Sequence, residues 1–427
     1  MYFLIINDIV NIKEKKITHY SLDKGLNFGI GLVNNGCNVD FIINDTTFIE
    51  NNIKFINYAD LSEETINLYD YIIIVREGLI EDLLNKFTEL KKVFFNKNKK
   101  PKIIIKSDSC IWLLNKNFRK YISSELSINA SLTSIIKWAN SQIDIICVQN
   151  NDFFKQGIKN GINKNNMIIT NMSVPDEIID FDSLENPFDN NYSYCVDSVS
   201  MMSSGKAFKP LYYINNPDKI NELVNKKRIK IIYMGRIKTD GGKIIYLMKE
   251  IMEKLGDDYE LHIFPGSFIL FDEKTQKYIN YSANNSNHLK ILRDTIFPDA
   301  LNVFIHCPFD HKDIKKYLWH SDIGIDFSSS RPLNVRADAG NAKLLEYCYM
   351  GLPVVTEKNV NNSYLVENCS NGIILNGIAT TQEYIDSIIK LSNLDIDRKK
   401  ASQITIKNEN WTLRTKNFIN DLKKLHE

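Results

Sequence analysis

The chain reads as an α/β protein made of two Rossmann-like, doubly wound domains facing each other across a cleft. Three observations predict this. Its 427 residues are too many for one ordinary core and suit two. Short apolar runs alternate with helix-length amphipathic stretches in both halves, the pattern of a parallel sheet covered on both faces. The alternation breaks once, over residues 181–225, where Asp189-Asn-Asn-Tyr192, Met201-Met-Ser-Ser-Gly205 and Asn215-Asn-Pro217 gather turn-forming residues.

In the first domain, residues 1–180, strands are expected at Tyr2–Ile6, Val39–Ile43, Ile53–Ile56, Tyr71–Val75, Lys102–Lys106, Ile143–Val148 and Met167–Asn171. Each is a short apolar run, the form a strand takes when both of its faces are buried. Helices are expected over Leu22–Asn34, stopped by Asn35-Gly36, and over Leu79–Phe94 and Leu132–Asn140. The second domain, residues 226–405, restarts with strand Ile229–Met234 and helix Lys243–Leu255, stopped by Gly256. Strands Glu260–Phe264, Val303–His306 and Ile323–Phe327 follow, with helix Asp313–Trp319 between the last two. Helix Ala342–Met350 ends at Gly351, and Val354–Val355 opens the last clear strand. Helices over Thr380–Ser392 and Thr412–His426 close the chain.

Composition narrows the function. Net charge is +1 with 25% charged residues, so no global field draws the chain to nucleic acid. Seven cysteines are scattered without a Cys-x-x-Cys pair, which fits buried free thiols in a reducing cytoplasm. The N-terminal apolar run is too short for a signal peptide, and no run reaches transmembrane length. The histidines form no His-Glu-x-x-His and the serines no Gly-x-Ser-x-Gly elbow, so neither a metal centre nor a serine hydrolase is expected. Asp180-Phe-Asp182 and Asp395-Ile-Asp397 read as solvated turns.

Two segments of the second domain carry chemistry. Strand Ile229–Met234 runs into Gly235-Arg236-Ile-Lys238-Thr-Asp-Gly-Gly-Lys243. Glycine lets backbone approach a ligand, and arginine offers a planar fork of donors to phosphate oxygens. Such short Gly/Lys strings are common, and a plain turn with solvated bases is an equal reading. The other segment is Asp338-Ala-Gly-Asn-Ala-Lys-Leu-Leu-Glu346, in which a helix start separates two carboxylates. Helix starts suit phosphate, and carboxylates accept hydrogen bonds from sugar hydroxyls. A nucleotide sugar needs both.

With Gly235-Arg236, Asp338-x7-Glu346 and Gly351-Leu-Pro-Val-Val355 in order, the second half resembles the donor-binding domain of family 4 glycosyltransferases. Those enzymes have the GT-B fold and retain anomeric configuration. The stretch Tyr317–Phe327 and the tail opening at Asn410-Trp411 resemble the family as well, which implies that residues 406–427 form a helix packing back on the first domain. The resemblance implies that Arg236 contacts the donor diphosphate and that backbone amides from Gly340 through Asn341 to Ala342 hold it, beside Lys343. It implies that Glu346 binds ribose and Asp338 the transferred sugar. Two departures stand out. The first carboxylate is Asp rather than Glu, and Gly241 occupies the family's usual phosphate-binding lysine position, leaving Lys238 or Lys243 to replace it.

The expected reaction moves a sugar from a UDP- or GDP-sugar to an acceptor hydroxyl, on a glycan, a lipid-linked sugar or a protein. Diphosphate is the leaving group, and Arg236, a lysine and the helix start can stabilise it without a metal. Asp108, after strand Lys102–Lys106, joins Asp338 and Arg236 as a candidate catalytic group; its plainer reading is a helix N-cap. Lys91–Lys106 holds seven lysines around Phe94-Phe95, suited to weak peripheral contact with an anionic inner membrane face, though a solvated loop is the plainer reading. An inverting transferase, a sugar-nucleotide epimerase and a catalytically silent nucleotide-sugar binder are the rival readings.

Overall fold

The computed structural model describes residues 1–7, 12–13, 16–17, 23–43, 46–75, 101–107, 116–126, 129, 131–188, 207–208, 226–237, 243–272, 275–298, 300, 302–307, 313–327, 342–358 and 363–425. It divides into two compact units. The first contains Met1–Asp176 and Asn408–Glu427, and the second Glu177–Arg336 and Asn341–Lys407.

In the first unit the strands are β1 (Tyr2–Ile6), β2 (Ile12–Lys13), β3 (Lys16–Ile17), β4 (Asn38–Ile43), β5 (Phe48–Glu50), β6 (Ile53–Asn57), β7 (Tyr71–Val75), β8 (Lys102–Lys106), β9 (Ile145–Val148) and β10 (Met167–Ile169). Eight of them form one sheet in the order β10-β9-β8-β7-β1-β4-β6-β5, parallel except for β5; β2 and β3 make a separate two-stranded ribbon. Both faces are covered at the central strands β1, β7 and β9, which is why those strands are apolar along their length. Leu4 and Ile6 of β1 join a core with Ile72, Ile105 and Ile135. Phe3 and Ile5 face the other way, towards Phe28, Leu32 and Trp411.

Trp411 belongs to the last helix, Trp411–Lys424, which lies against helix Phe28–Asn34. Phe28 meets Trp411 edge-on at 6.0 Å and Phe418 at 5.2 Å between ring centres. A parallel bridge between Val174 and Asn410 secures the same helix start. Asn410 caps it, accepting from the Leu413 N–H at 2.7 Å.

The second unit has β11 (Ala207–Phe208), β12 (Ile229–Ile237), β13 (Tyr259–Asp272), β14 (Lys277–Ser282), β15 (Val303–His306), β16 (Ile323–Asp326), β17 (Val354–Glu357) and β18 (Gly372–Leu375). The sheet order is β11-β15-β13-β12-β16-β17-β18, with β14 folded back on β13. β11 and β14 pair antiparallel and the rest parallel. From β12 the chain builds first towards β13 and β15, then returns to add β16 on the other side. The strand order therefore reverses at the β12/β16 boundary, where open α/β sheets bind ligands.

Several elements depart from the sequence reading, among them strand β5 and the helices Lys116–Leu126 and Asn151–Lys159 of the first unit. The strand expected over Glu260–Phe264 runs on to Asp272 and folds back as β14. Pro265-Gly266 look like a strand end, but there the register against β12 shifts between Gly235 and Ile237, so the missing proline N–H falls at an irregularity. A further strand, β18, follows Val354–Glu357, and helices at Ser286–Ile296, Ser363–Cys369 and Arg398–Glu409 were not anticipated. The helix expected over Leu79–Phe94 and most of the Lys91–Lys106 stretch lie outside the described residues. Five cysteines, Cys37, Cys147, Cys307, Cys348 and Cys369, are buried, and none forms a disulfide among the described residues. Among the described residues no helix is long and apolar enough to cross a membrane.

Candidate functional site

β12 delivers Gly235 and Arg236 to the carboxyl end of the sheet. Gly235 has φ of +112°, a conformation that side-chain-bearing residues avoid. This twist coincides with the register shift and leaves Arg236 exposed, its Cγ close to Gly266 of β13. The side chain is thus presented to solvent at the carboxyl end of β12.

The helix Ala342–Tyr349 begins beside this turn. A Cβ placed on Gly235 would lie 3.6 Å from Cε of Lys343, so the two motifs meet although 108 positions separate them. Lys343 is 8% exposed. Its ammonium stands 3.1 Å from Oδ1 of Asp326, the last residue of β16, and 4.2 Å from the centre of the Tyr233 ring. The contact with Asp326 is a charge contact; Nζ has no hydrogen-bond acceptor in line. A buried ammonium with unused donors, carried on a stem whose Cε lies beside the Gly-Arg turn, suits an anionic oxygen.

The surrounding groups hold this arrangement in place. Asp326 is fully buried; its Oδ2 accepts from Thr356 Oγ1 at 2.9 Å, and its backbone oxygen accepts from the Tyr384 hydroxyl at 3.1 Å. The Tyr347 hydroxyl accepts from the Met234 N–H at 3.2 Å, which ties the helix to β12 next to Gly235. Burial pushes the Tyr347 phenol well above its usual range, and burial with the nearby Glu357 and Asp326 carboxylates does the same to Tyr384. Both remain neutral hydrogen-bonding groups at any physiological pH. Glu357, at the end of β17, is also fully buried and accepts from the Ala379 N–H at 3.2 Å.

Of the sequence candidates, Arg236, Ala342, Lys343 and Glu346 are therefore described together in one unit, with Glu346 half-buried one turn after Lys343. Lys243 begins the helix Lys243–Leu255 that follows the Gly-Arg turn. Lys238, Asp338, Gly340, Asn341 and Asp108 lie outside the described residues. Asp326, Glu357 and Tyr233 were missed by sequence reasoning. One signal could have found the carboxylates: each ends an apolar strand, Ile-Gly-Ile-Asp326 and Val-Val-Thr-Glu357. A separate cavity of about 300 Å³, lined by Lys249, Glu253, Asp257 and Asn302 among others, sits at the opposite, amino-terminal ends of β13 and β15 and shares no residue with this site.

No protein-family model matches the chain, and no curated protein sequence does either. Solved structures do. A glycosyltransferase from Rickettsia africae aligns at TM-score 0.56 and 14% identity, over 100% of this chain and 99% of that one. The Anabaena protein HepE, solved in complex with UDP, aligns at TM-score 0.54 and 11% identity, over 99% of this chain and 100% of its own. Sucrose-phosphate synthase from Thermosynechococcus elongatus aligns at TM-score 0.54 and 11% identity, over 99% and 100%. Likeness along the full length at so low an identity establishes the fold: two α/β units in the arrangement of strands and helices found in GT-B glycosyltransferases.

Proposed function

We propose that the chain is a glycosyltransferase that moves a sugar from a nucleoside diphosphate sugar to an acceptor hydroxyl. The observation that carries this reading is the approach of Lys343 to the Gly235-Arg236 turn at the carboxyl end of β12, where a Cβ on Gly235 would lie 3.6 Å from Lys343 Cε. One cation is exposed; the other is buried and paired with Asp326. Together with the helix start at Ala342 they form a positively polarised pocket for a diphosphate. The solved complex of HepE with UDP supports a uridine donor for a protein of this fold.

On this reading Arg236, Lys343 and the helix N-terminus stabilise the charge that grows on the diphosphate as the glycosidic bond breaks. Lys343 fills the part that the absence of lysine at Gly241 leaves open. Glu346, one turn further along the helix, holds ribose hydroxyls, and Asp338 the hydroxyls of the transferred sugar. Transfer proceeds with retention: the acceptor attacks from the face that the diphosphate leaves, and a diphosphate oxygen takes its proton.

The test is transfer from UDP- and GDP-sugars, with released nucleotide as the readout. Arg236→Ala removes one donor to the developing charge and lowers turnover about 100-fold or more. The protein keeps its thermal transition, because the side chain is exposed. Turnover within about twofold of the parent would sink the assignment. A thermal-shift series with UDP, GDP and dTDP identifies the base, since the bound nucleotide raises the transition temperature.

A further inference from the structure

A second site lies within the first unit, at the carboxyl ends of β9 and β10. These strands are adjacent and parallel, with Val148 paired to Ile169. The residues that follow them are polar and uncharged: Gln149-Asn150 after β9 and Thr170-Asn171 after β10. The ladder continues one step further, the Thr170 N–H donating to Val148 O at 2.8 Å. In that register Asn150 falls opposite Asn171.

Asn150 caps helix Asn151–Lys159, its Oδ1 accepting from the Phe153 N–H at 2.9 Å. That bond settles which end of the amide carries the nitrogen. Nδ2 is then a buried donor without a hydrogen-bond partner, on a side chain only 6% exposed. Asn171 has the opposite deficit: its Oδ1 is a buried acceptor without a donor. Native proteins seldom leave such atoms unmet, and here two of complementary kind stand at neighbouring strand ends.

The pair discriminates among ligand chemistries. A phosphate or carboxylate only accepts, so it would meet Asn150 and leave Asn171 unmet. An ammonium only donates and fails in the reverse sense. A hydroxyl does both, and neighbouring hydroxyls on a sugar ring offer one donor and one acceptor side by side. The nearby charges favour a neutral ligand too. Asp152 lies on the first turn of the helix that Asn150 caps and opposes an anion. Arg414 is paired with Glu409 at 2.8 Å, and Lys106 sits over the rings of Phe28 and Trp411.

We propose that Asn150 and Asn171 bind an uncharged, hydroxyl-rich ligand, a sugar, at the ends of β9 and β10. The binding rests on this pair alone; taking that sugar to be the acceptor of transfer rests on the function proposed above.

Saturation-transfer NMR on the full chain tests it, with the methyl glycosides of glucose, galactose and N-acetylglucosamine as probes and glucose 6-phosphate and glucosamine as charged counterparts. At least one neutral glycoside is expected to bind and to outcompete the charged sugars. Asn150→Asp keeps the capping oxygen and removes the amide donor, and should weaken that binding about tenfold, as should Asn171→Ala. UDP binding, measured on the same samples, should not change. Equal glycoside affinity in the parent and both variants overturns the site, as does a charged sugar binding as tightly, or no glycoside binding at all, the pair then holding only a water. Failure to bind UDP while glycosides still bind would instead sink the donor reading and leave this site standing.

Discussion

Lys343 and Asp326 form an ion pair, 3.1 Å from Nζ to Oδ1, whose members are 8% and 0% exposed. They come from different elements, the start of helix Ala342–Tyr349 and the end of β16. The pair therefore holds the helix start against the reversal point of the sheet. Desolvating two charges is expensive, and such a pair stabilises little relative to well-packed apolar residues. Keeping one at the point where a diphosphate would sit is what a functional cation requires.

Asp326→Asn leaves a buried ammonium without its counter-charge and should lower stability by about 3–5 kcal/mol in urea unfolding. Lys343→Met, which strands Asp326 instead, should do the same. The double variant Asp326→Leu/Lys343→Met should recover most of that loss yet bind UDP at least about tenfold more weakly, since a charge-assisted bond to phosphate is gone. UDP affinity unchanged in the double variant would show that Lys343 is structural only.

Gly351 ends the same helix with φ of +59°, and a Cβ there would stand too close to the carbonyl oxygen of Arg398 for any side chain to fit. Gly351→Ala should destabilise the second unit by about 3 kcal/mol through left-handed strain and overpacking together. A melting temperature within a degree of the parent would contradict the close approach.

Trp411 is 3% exposed and fills the first unit's core beside Phe28. Trp411→Ala should cost about 3–5 kcal/mol. Limited proteolysis should then cut within the first unit before the second. Equal protection of the two units would argue against the terminal helix as part of that core.

Glu260, the second residue of β13, is buried, 3.1 Å from His262 Nε2 and 3.5 Å from Lys230. Burial alone would raise its carboxyl, but the hydrogen bond and charge of His262, with Lys230 and Arg228, outweigh it and hold the group below its ordinary value of 4.5. A carboxyl depressed on folding contributes stability that is complete above its unfolded value and is lost as pH falls through its folded value. The stability gap between the parent and Glu260→Gln should therefore be largest near neutrality and shrink below about pH 4.5. A gap that does not change between pH 6 and pH 3 would refute this.

Much of the fold was legible because it is local. The apolar runs Tyr2–Ile6, Tyr71–Val75, Lys102–Lys106 and Val303–His306 became strands with the boundaries expected of them. A strand buried on both faces has little choice but to be continuously apolar. Where pairing rather than composition decides, the reading stopped short. Pro265-Gly266 is a break by local rules, and only a register shift opposite Gly235 lets β13 pass through it. Gly372–Leu375 is too short to be told from a loop until it finds β17.

For the candidate site, the sequence by itself determined the ingredients: a Gly-Arg turn after a strand, a helix start carrying Lys343, and a carboxylate one turn further on at Glu346. Only the tertiary structure decided that Lys343 lies beside Gly235 and is held by Asp326. The reason is physical: periodicity and capping act over a few residues, whereas an ion pair depends on which strands become neighbours, and that is settled by packing the whole sheet.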